Sequence, residues 1–412
     1  MTQRPKRRRL NASNQSDNSP ESEHDPYRPA TPQEKAQWNG FCELESEPAL
    51  FNVMLREFGV KGVKVQEVVS LDDEMMALLN KPVYGLIFLF RWREDDPEKQ
   101  EASCPEGIWF ANQVCLHAIN LDLMSEMATN ALRQTASNAC ASVALLNIVN
   151  NIEEIELGEH LQHFKDFTMK FTPALRGDAI SNFDFVKQVH NSFARKMDIL
   201  NSDLQLKQET ASPSSSRYER LVLDRPASVI TCITGPCTPD DDWLELVRPN
   251  IITRMAEYEE GQIQFSILSL ARDPLPDLVK KLAINVRSLE LLNQRIGSER
   301  ERGSDLGFAE PLLENTLLGP DASYGLELDQ IDQATVAPEE VETYQKCSVE
   351  EAIQARKQLA LAQASLRVSI REEQQSHQAD EDYAAGRRYD YGPAVRTWVR
   401  FLARKRKIEE LM

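Results

Sequence analysis

Thr135-Ala136-Ser137-Asn138-Ala139-Cys140-Ala141-Ser142-Val143-Ala144-Leu145-Leu146-Asn147-Ile148-Val149 joins two cap-forming residues, Ser137 and Asn138, to an almost wholly apolar run. Side chains of that kind accept hydrogen bonds from the first N–H groups of a helix, so the stretch predicts a buried helix beginning at or just before Cys140. The first turn of a helix carries unpaired N–H groups and about half a positive charge, which stabilises a thiolate. Cys140 is therefore a candidate nucleophile. The same residue also suits a plain core position, because unoxidised cysteines are among the most buried side chains and pack as small hydrophobes. Gln134, one short segment upstream, offers a side-chain amide able to donate to an oxyanion formed when sulfur attacks a carbonyl.

Around this helix the chain has 412 residues, room for two or three domains, and its 41% hydrophobic content supports a sizeable core. Asp and Glu number 65 against 47 Lys and Arg, and the resulting charge of -18 argues against a general nucleic-acid binder and for partners with a basic face. The cysteines at 42, 104, 115, 140, 232, 237 and 347 are odd in number and show no paired metal spacing, which points to a reducing compartment. Cys115-x-His117 alone is far short of a metal site, so no metal or other cofactor is expected. No apolar run is long enough to span a bilayer and the N-terminus is polar, so an intracellular protein without membrane attachment is expected.

In chain order, residues 1–35 are rich in Ser, Asn, Pro and charge and read as a disordered tail. Within it, Pro5-Lys6-Arg7-Arg8-Arg9 has the pattern read by nuclear import factors, though it also suits solvated charge. Phe51, Met54, Leu55 and Phe58 fall at helical spacing before Gly59. Val63 to Val69 reads as extended and Leu71 to Leu79 as a short helix, while Val83 to Trp92, apolar and aromatic, predicts a central strand buried on both faces. Leu157, Leu161, Phe164 and Phe167 mark a further helix with His160 and His163 on its surface. Leu175 to Gly177 reads as a turn, and Ser181-Asn182 as the cap of a helix through Phe185, Val189 and Phe193, on which His190 has a structural or exposed role. Residues 201–217 form a polar, Ser-rich loop, Tyr218 to Asp224 and Ser228 to Thr234 are strand-like, and Asp240-Asp241-Asp242 opens a helix. Ile263 to Leu268 alternates as a strand, and the globular unit closes near Pro276. A helix at 277–297 and an acidic linker from Gly303 to about Glu340 follow. Val349 to about Gln375 reads as a long helix whose stripe of Leu359, Ala362, Leu366 and Ile370 asks for a partner. Arg387 to Met412 is basic and amphipathic, fitting protein docking better than a membrane surface.

Several of these stretches, in order, resemble the ubiquitin C-terminal hydrolase family. They are Trp38 with Glu43-Leu44-Glu45-Ser46-Glu47-Pro48, Phe58 to Gly62, Pro82 to Trp92, and Asn138-Ala139-Cys140-Ala141. Gln188 to Arg195 and Arg387-Arg388-Tyr389-Asp390-Tyr391-Gly392-Pro393 are similar to segments of its longer, proteasome-associated branch, the latter within a C-terminal docking domain. The resemblance implies an α/β (α+β) fold: a papain-like cysteine protease core with a central antiparallel sheet flanked by helices, plus a helical C-terminal extension. It implies a catalytic domain at 36–276, a helix and acidic linker at 277–345 and a partner-docking domain at 346–412. The activity implied is a cysteine-type deubiquitinase that hydrolyses the bond after the ubiquitin C-terminal glycine, in ubiquitin-dependent protein catabolism. Cys140 would be the nucleophile, Gln134 the oxyanion donor and Asp224 the group that orients the base, with 201–217 as a crossover-type loop restricting access. Ubiquitin conjugates, and a proteasome-receptor or chromatin complex docked through 346–412, would be the partners, in nucleus and cytoplasm.

This chain departs from the family twice. The family runs from Phe-Ala-x-Gln straight into the cysteine motif, so 114–134 is an atypical insertion and Gln113 is the alternative oxyanion donor. The general-base histidine is also missing: histidines stand at 24, 117, 160, 163, 190 and 377, and none lies between 191 and 376. A catalytically dead ubiquitin-binding scaffold is therefore the second reading.

Overall fold

The computed structural model describes residues 29–38, 40–91, 107–112, 138–200, 219–224, 242–260, 265–301 and 315–405. The tail before residue 29 with its basic run, the insertion at 114–134, the Ser-rich stretch 201–217 and the expected strand Ser228–Thr234 lie outside these residues. The first unit contains α1 (Pro32–Gln37), α2 (Pro48–Glu57), β1 (Val63–Glu67), α3 (Asp73–Met76), β2 (Val83–Arg91), α4 (Cys140–Val149), α5 (Glu159–Thr168), α6 (Pro173–Ser181) and α7 (Asp184–Ser192). It is completed by β3 (Glu219–Asp224), α8 (Trp243–Glu260) and β4 (Phe265–Arg272), after which α9 (Pro274–Glu301) leads away. A 3-10 turn (Ala322–Tyr324), α10 (Leu328–Gln333), α11 (Pro338–Lys346), α12 (Val349–Arg388) and α13 (Gly392–Arg404) form the extension.

The four strands make one antiparallel sheet in the order β1-β4-β2-β3. As its sequence predicts, β2 is interior and buried on both faces. Ile87 joins Val65, Leu268 and Leu270 in the larger core beneath α2 and α4, whereas Leu86 and Phe88 join Ile267 and Ala271 in a second core beneath α8. Strand side chains alternate faces, yet Val83 shares the face of Leu86, three residues on. The pairing with β4 slips between Val83 and Gly85, and this bulge reverses the alternation.

Gly85 also lets the sheet approach α4. A Cβ there would lie 2.9 Å from Ile148 Cδ1 and 3.0 Å from its Cγ1 and Cγ2, inside van der Waals contact. α4 is correspondingly dry: Leu145, Leu146 and Val149 are fully buried and Ile148 nearly so.

Several sequence expectations are corrected. Residues 31–35 are not part of a tail, because Thr31 and Glu34 form a reciprocal capping box that starts α1. Leu175 to Gly177 is helix rather than turn: Thr172 caps α6 by accepting from Leu175 N–H, and Pro173 fills the first turn, where it sacrifices no bond. Ser181 then ends α6 instead of capping the next helix, and α7 starts after Phe183 with no side-chain cap.

The acidic linker is structured wherever it is described. Tyr324, Leu326 and Ile331 are buried against Leu282, Ala283 and Val286 of α9. Part of the stripe on α12 has its partner inside the chain, since α12 runs antiparallel to α9: Leu359 and Ile370 pack there, whereas Ala362 is exposed. Asn285 donates to Leu359 O at 3.0 Å and accepts from Gln363 at 3.0 Å, with Ile370 at one end and Ala352 at the other packed on α9 residues. α12 outruns its apolar pattern by continuing to Arg388, because its second half is held by ion pairs: Arg56 to Asp380 and Glu381, and Lys64 to Glu373. Arg387 and Arg388 thus end α12 and do not belong to the terminal amphipathic helix.

Gly85→Ala should lower stability in urea unfolding by about 1–3 kcal/mol through overpacking. Combined with Ile148→Ala it should cost less than the sum of the two single changes, because the second removes the atoms the first collides with. A strictly additive pair would contradict the contact.

Candidate active site at the start of the buried helix

Cys140 is the first residue of α4, as its sequence predicts, half-buried and in no disulfide. The cap is not the expected one: Ala139 occupies that position and offers no side-chain acceptor. Asn138 instead adopts a positive φ of 66° and turns its amide to Phe41 O at 3.3 Å, so it ties the preceding loop to the stretch before α2.

A side-chain ladder fixes the other flank of α4. Asn147 accepts from Ala111 N–H at 2.7 Å and donates to Ala111 O at 2.9 Å, and one turn further Asn151 does the same with Trp109, at 2.9 and 2.7 Å. The two asparagines stand in for a partner strand. Arg176 of α6, 3% exposed, takes the intervening carbonyls, donating through Nη1 to Ile108 O and Phe110 O, each at 3.2 Å. Trp109 is fully buried and its indole N–H donates to Thr168 Oγ1 at 2.9 Å. Two residues of this extended segment advance by one helical turn toward the Cys140 end. The described segment stops at Asn112, whose N–H donates to Pro173 O at 2.9 Å.

A buried polar cluster lies beside the first turn of α4. Ser142 Oγ and His190 Nδ1 are 2.9 Å apart, and His190 Nε2 is 2.8 Å from Cys42 O. A carbonyl can only accept, so Nε2 carries the proton and Nδ1 accepts from the serine hydroxyl. Burial pushes the His190 imidazole down to about 4, and with both nitrogens engaged it is a structural strut, as its place beside the apolar stripe suggested. Asn191 completes the clasp by accepting from Cys42 N–H at 3.0 Å and donating to Gly40 O at 2.8 Å. The Cys42 thiol is fully buried and pushed up to about 12 by desolvation, the opposite of a nucleophile's environment.

The other sequence candidates divide. Asp224 ends β3, which runs beside α4, and is in register with Leu86 of β2. Gln134 and Gln113 lie outside the described residues, as do His24 and His117. His160 and His163 are exposed on α5, and His377 of α12 contacts Asp273 at 3.4 Å. Asp273, Glu373 and His377 bring potential metal-ligand atoms within 4.8 Å of one another, but Lys64 already donates to Glu373 at 2.5 Å and supplies the positive charge there. The sequence reading missed Asn147, Asn151 and Ser142. Part of the signal was available: a polar side chain inside an otherwise apolar helix, such as Ser142 or Asn147, is costly to bury unless it is hydrogen-bonded.

A thiol at the head of a buried helix, set against an antiparallel sheet and flanked by a pinned extended segment, is an α/β arrangement able to hold a thiolate. Residues 41–220 match the family model described as ubiquitin carboxyl-terminal hydrolase, family 1. Ubiquitin carboxyl-terminal hydrolase isozyme L5 of Dictyostelium discoideum is 32% identical over 292 residues, covering 68% of this chain and 77% of that protein. Ubiquitin carboxyl-terminal hydrolase ubh-4 of Caenorhabditis elegans is 32% identical over 279 residues, covering 65% and 77%. The solved Trichinella spiralis UCH37 catalytic domain bound to ubiquitin vinyl methyl ester is 28% identical, with a TM-score of 0.41 over 57% of this chain and 96% of that one. The chain belongs to the ubiquitin carboxyl-terminal hydrolase family, and its activity class is that of a thiol-dependent ubiquitinyl hydrolase.

The His190 strut makes the fold acid-sensitive. Above about pH 6.5 the imidazole is neutral in both states; below it the unfolded chain takes up a proton that the folded chain refuses until about pH 4, so stability falls as pH falls. The loss from this group approaches roughly 3 kcal/mol at the acid end of that window. In denaturant titrations at pH 7 and pH 4.5, His190→Gln should lose less stability between the two values than the unsubstituted chain. Equal losses would mean that His190 is not held neutral.

Proposed function

We propose that Cys140 is the nucleophile of a deubiquitinase that cleaves the bond after the C-terminal glycine of ubiquitin. The observation that carries this reading is the thiol's place as the first residue of a buried helix, the position at which a helix dipole favours a thiolate. The thiolate attacks the glycine carbonyl carbon, forming a C–S bond and an oxyanion. Collapse breaks the C–N bond, the amine leaves with a proton, and water then hydrolyses the thioester to release the ubiquitin carboxylate. The Cys140 backbone N–H and a glutamine amide hold the oxyanion. The direction of the asparagine ladder favours Gln113 over Gln134 for that role, since each step along 109–111 moves one turn nearer Cys140. Asp224, at the end of the strand beside α4, is the group proposed to orient a base.

One observation favours the second reading, a scaffold that binds ubiquitin without turning it over. The sequence has no histidine between 191 and 376, and His190 is neutral with both ring nitrogens committed. For the extension, the proposed docking surface narrows to α13. Leu359 and Ile370 of the α12 stripe pack on α9, whereas Val395, Trp398, Val399 and Phe401 are about half exposed or more and flanked by Arg396, Arg400 and Arg404. A partner with an apolar groove edged by carboxylates fits this face, whether proteasomal or chromatin-associated, and the Pro5–Arg9 run supports nuclear as well as cytoplasmic residence.

Incubating the full chain with ubiquitin bearing a C-terminal electrophile, then mapping the adduct by mass spectrometry, tests both readings. One ubiquitin should attach at Cys140 and be lost in Cys140→Ala. Gln113→Ala should slow attachment by about a hundredfold, the usual cost of an oxyanion donor, while Gln134→Ala leaves it unchanged. Binding without attachment, or attachment with no release of amine from a ubiquitin amide, establishes the scaffold; no binding at all overturns both.

A further inference from the structure

Arg387 sits in the stretch whose sequence reads as part of a docking surface, yet its guanidinium is turned into the catalytic unit. Nε donates to Glu45 Oε2 at 2.6 Å, Nη1 to Asp198 Oδ2 at 2.7 Å and to Phe193 O at 3.1 Å, and Nη2 to Glu43 O at 3.3 Å. The side chain is only 6% exposed. These acceptors come from two stretches remote in sequence, one before α2 and one after α7.

Both stretches lead to the Cys140 end of α4. The first continues back through Cys42, held by His190 and Asn191, to Phe41, whose carbonyl accepts from Asn138, two residues before Cys140. The second follows directly on α7, which through His190 contacts Ser142, two residues after Cys140. Burial would push the Asp198 carboxyl up, but the bonds from Arg195 and Arg387 outweigh it and hold it below the ordinary range. Arg195 also reaches Asp198 at 3.2 Å and Glu45 at 3.8 Å, but it is one-third exposed, and pairs on that side contribute little. The buried cation that joins the two stretches comes from the end of α12.

We propose that Arg387 is a positioning residue for the thiol site: its four bonds make the end of α12 the brace that sets the two stretches bracketing the Cys140 end of α4. Ubiquitin's tail has to meet a sulfur whose surroundings are fixed to within a fraction of an ångström, and a planar fork holding four acceptors supplies that rigidity. A lysine, as a point charge with three donors, satisfies only part of the set. The inference rests on Cys140 being the reacting thiol, and the test separates the two.

In the full-length chain, hydrogen–deuterium exchange should rise in peptides covering 40–47 and 138–145 for Arg387→Gln and rise less for Arg387→Lys. The rate at which Cys140 takes up the ubiquitin electrophile should fall about tenfold in Arg387→Gln, while its reaction with iodoacetamide changes by less than about threefold, since positioning and not intrinsic reactivity is lost. Arg56→Gln, which loosens α12 at Asp380 and Glu381 without touching either stretch, should leave both readouts near the unsubstituted values. Should Arg387→Gln fail to fold, Glu45→Gln and Arg387→Lys carry the same comparison with less loss. Unchanged exchange in both stretches, or equal effects of the Arg387 and Arg56 substitutions, overturns the proposal. If the unsubstituted chain takes up no ubiquitin, the nucleophile reading fails, and exchange alone then decides whether Arg387 braces the stretches.

Discussion

The arrangement depends on a half-buried extended segment, 108–112, that pairs with no strand among the described residues. Residues 108–112 cross the interior in extended form, where each unpaired backbone N–H or carbonyl would cost about 1–3 kcal/mol. Asn147 and Asn151 satisfy both groups of Ala111 and of Trp109, and Arg176 takes the carbonyls between them. A helix four residues long rises about 6 Å, close to the span of two extended residues, so asparagines at positions i and i+4 match the strand's repeat. That coincidence of spacings lets a helix act as the edge of a sheet.

With this flank fixed, the remaining geometry follows. β2 presses on the other side of α4 through Gly85, and the His190–Ser142 strut holds its first turn. The thiol at its head is left half-buried while Cys42, a short distance away in the fold, is sealed and inert. The chain thus separates two cysteines by environment: one packed as a hydrophobe, one placed where a helix begins. α12 belongs to the same scheme, because its second half exchanges ion pairs with α2, β1 and the stretch after α7.

Much of this was legible in the sequence wherever apolar periodicity spoke plainly. The strand at β2, the helix opening at Cys140 and the helix around Phe51 all follow from it. The errors arose where polar residues decide structure. Leu175 to Gly177 reads as a turn, but the Thr172 cap and Pro173 start a helix there, and the supposed acidic linker hides Tyr324, Leu326 and Ile331 among charges. α12 extends past its apolar stripe because carboxylates and arginines bind it, a tertiary cause no local pattern contains. At the site, the helix opening at Cys140 is legible and His190 is expected to be structural or exposed, whereas Asn147 is hidden inside an apolar run and Asn151 stands just beyond it.

The central claim, that the asparagine ladder is part of the core on which the thiol site is built, is tested most directly by native-state hydrogen exchange at the Trp109 and Ala111 amides. If the ladder is integral, both exchange only through global unfolding, with a free energy and denaturant dependence equal to those of the α4 amides. Exchange of these two amides through a cheap, denaturant-independent opening while α4 stays protected would contradict it.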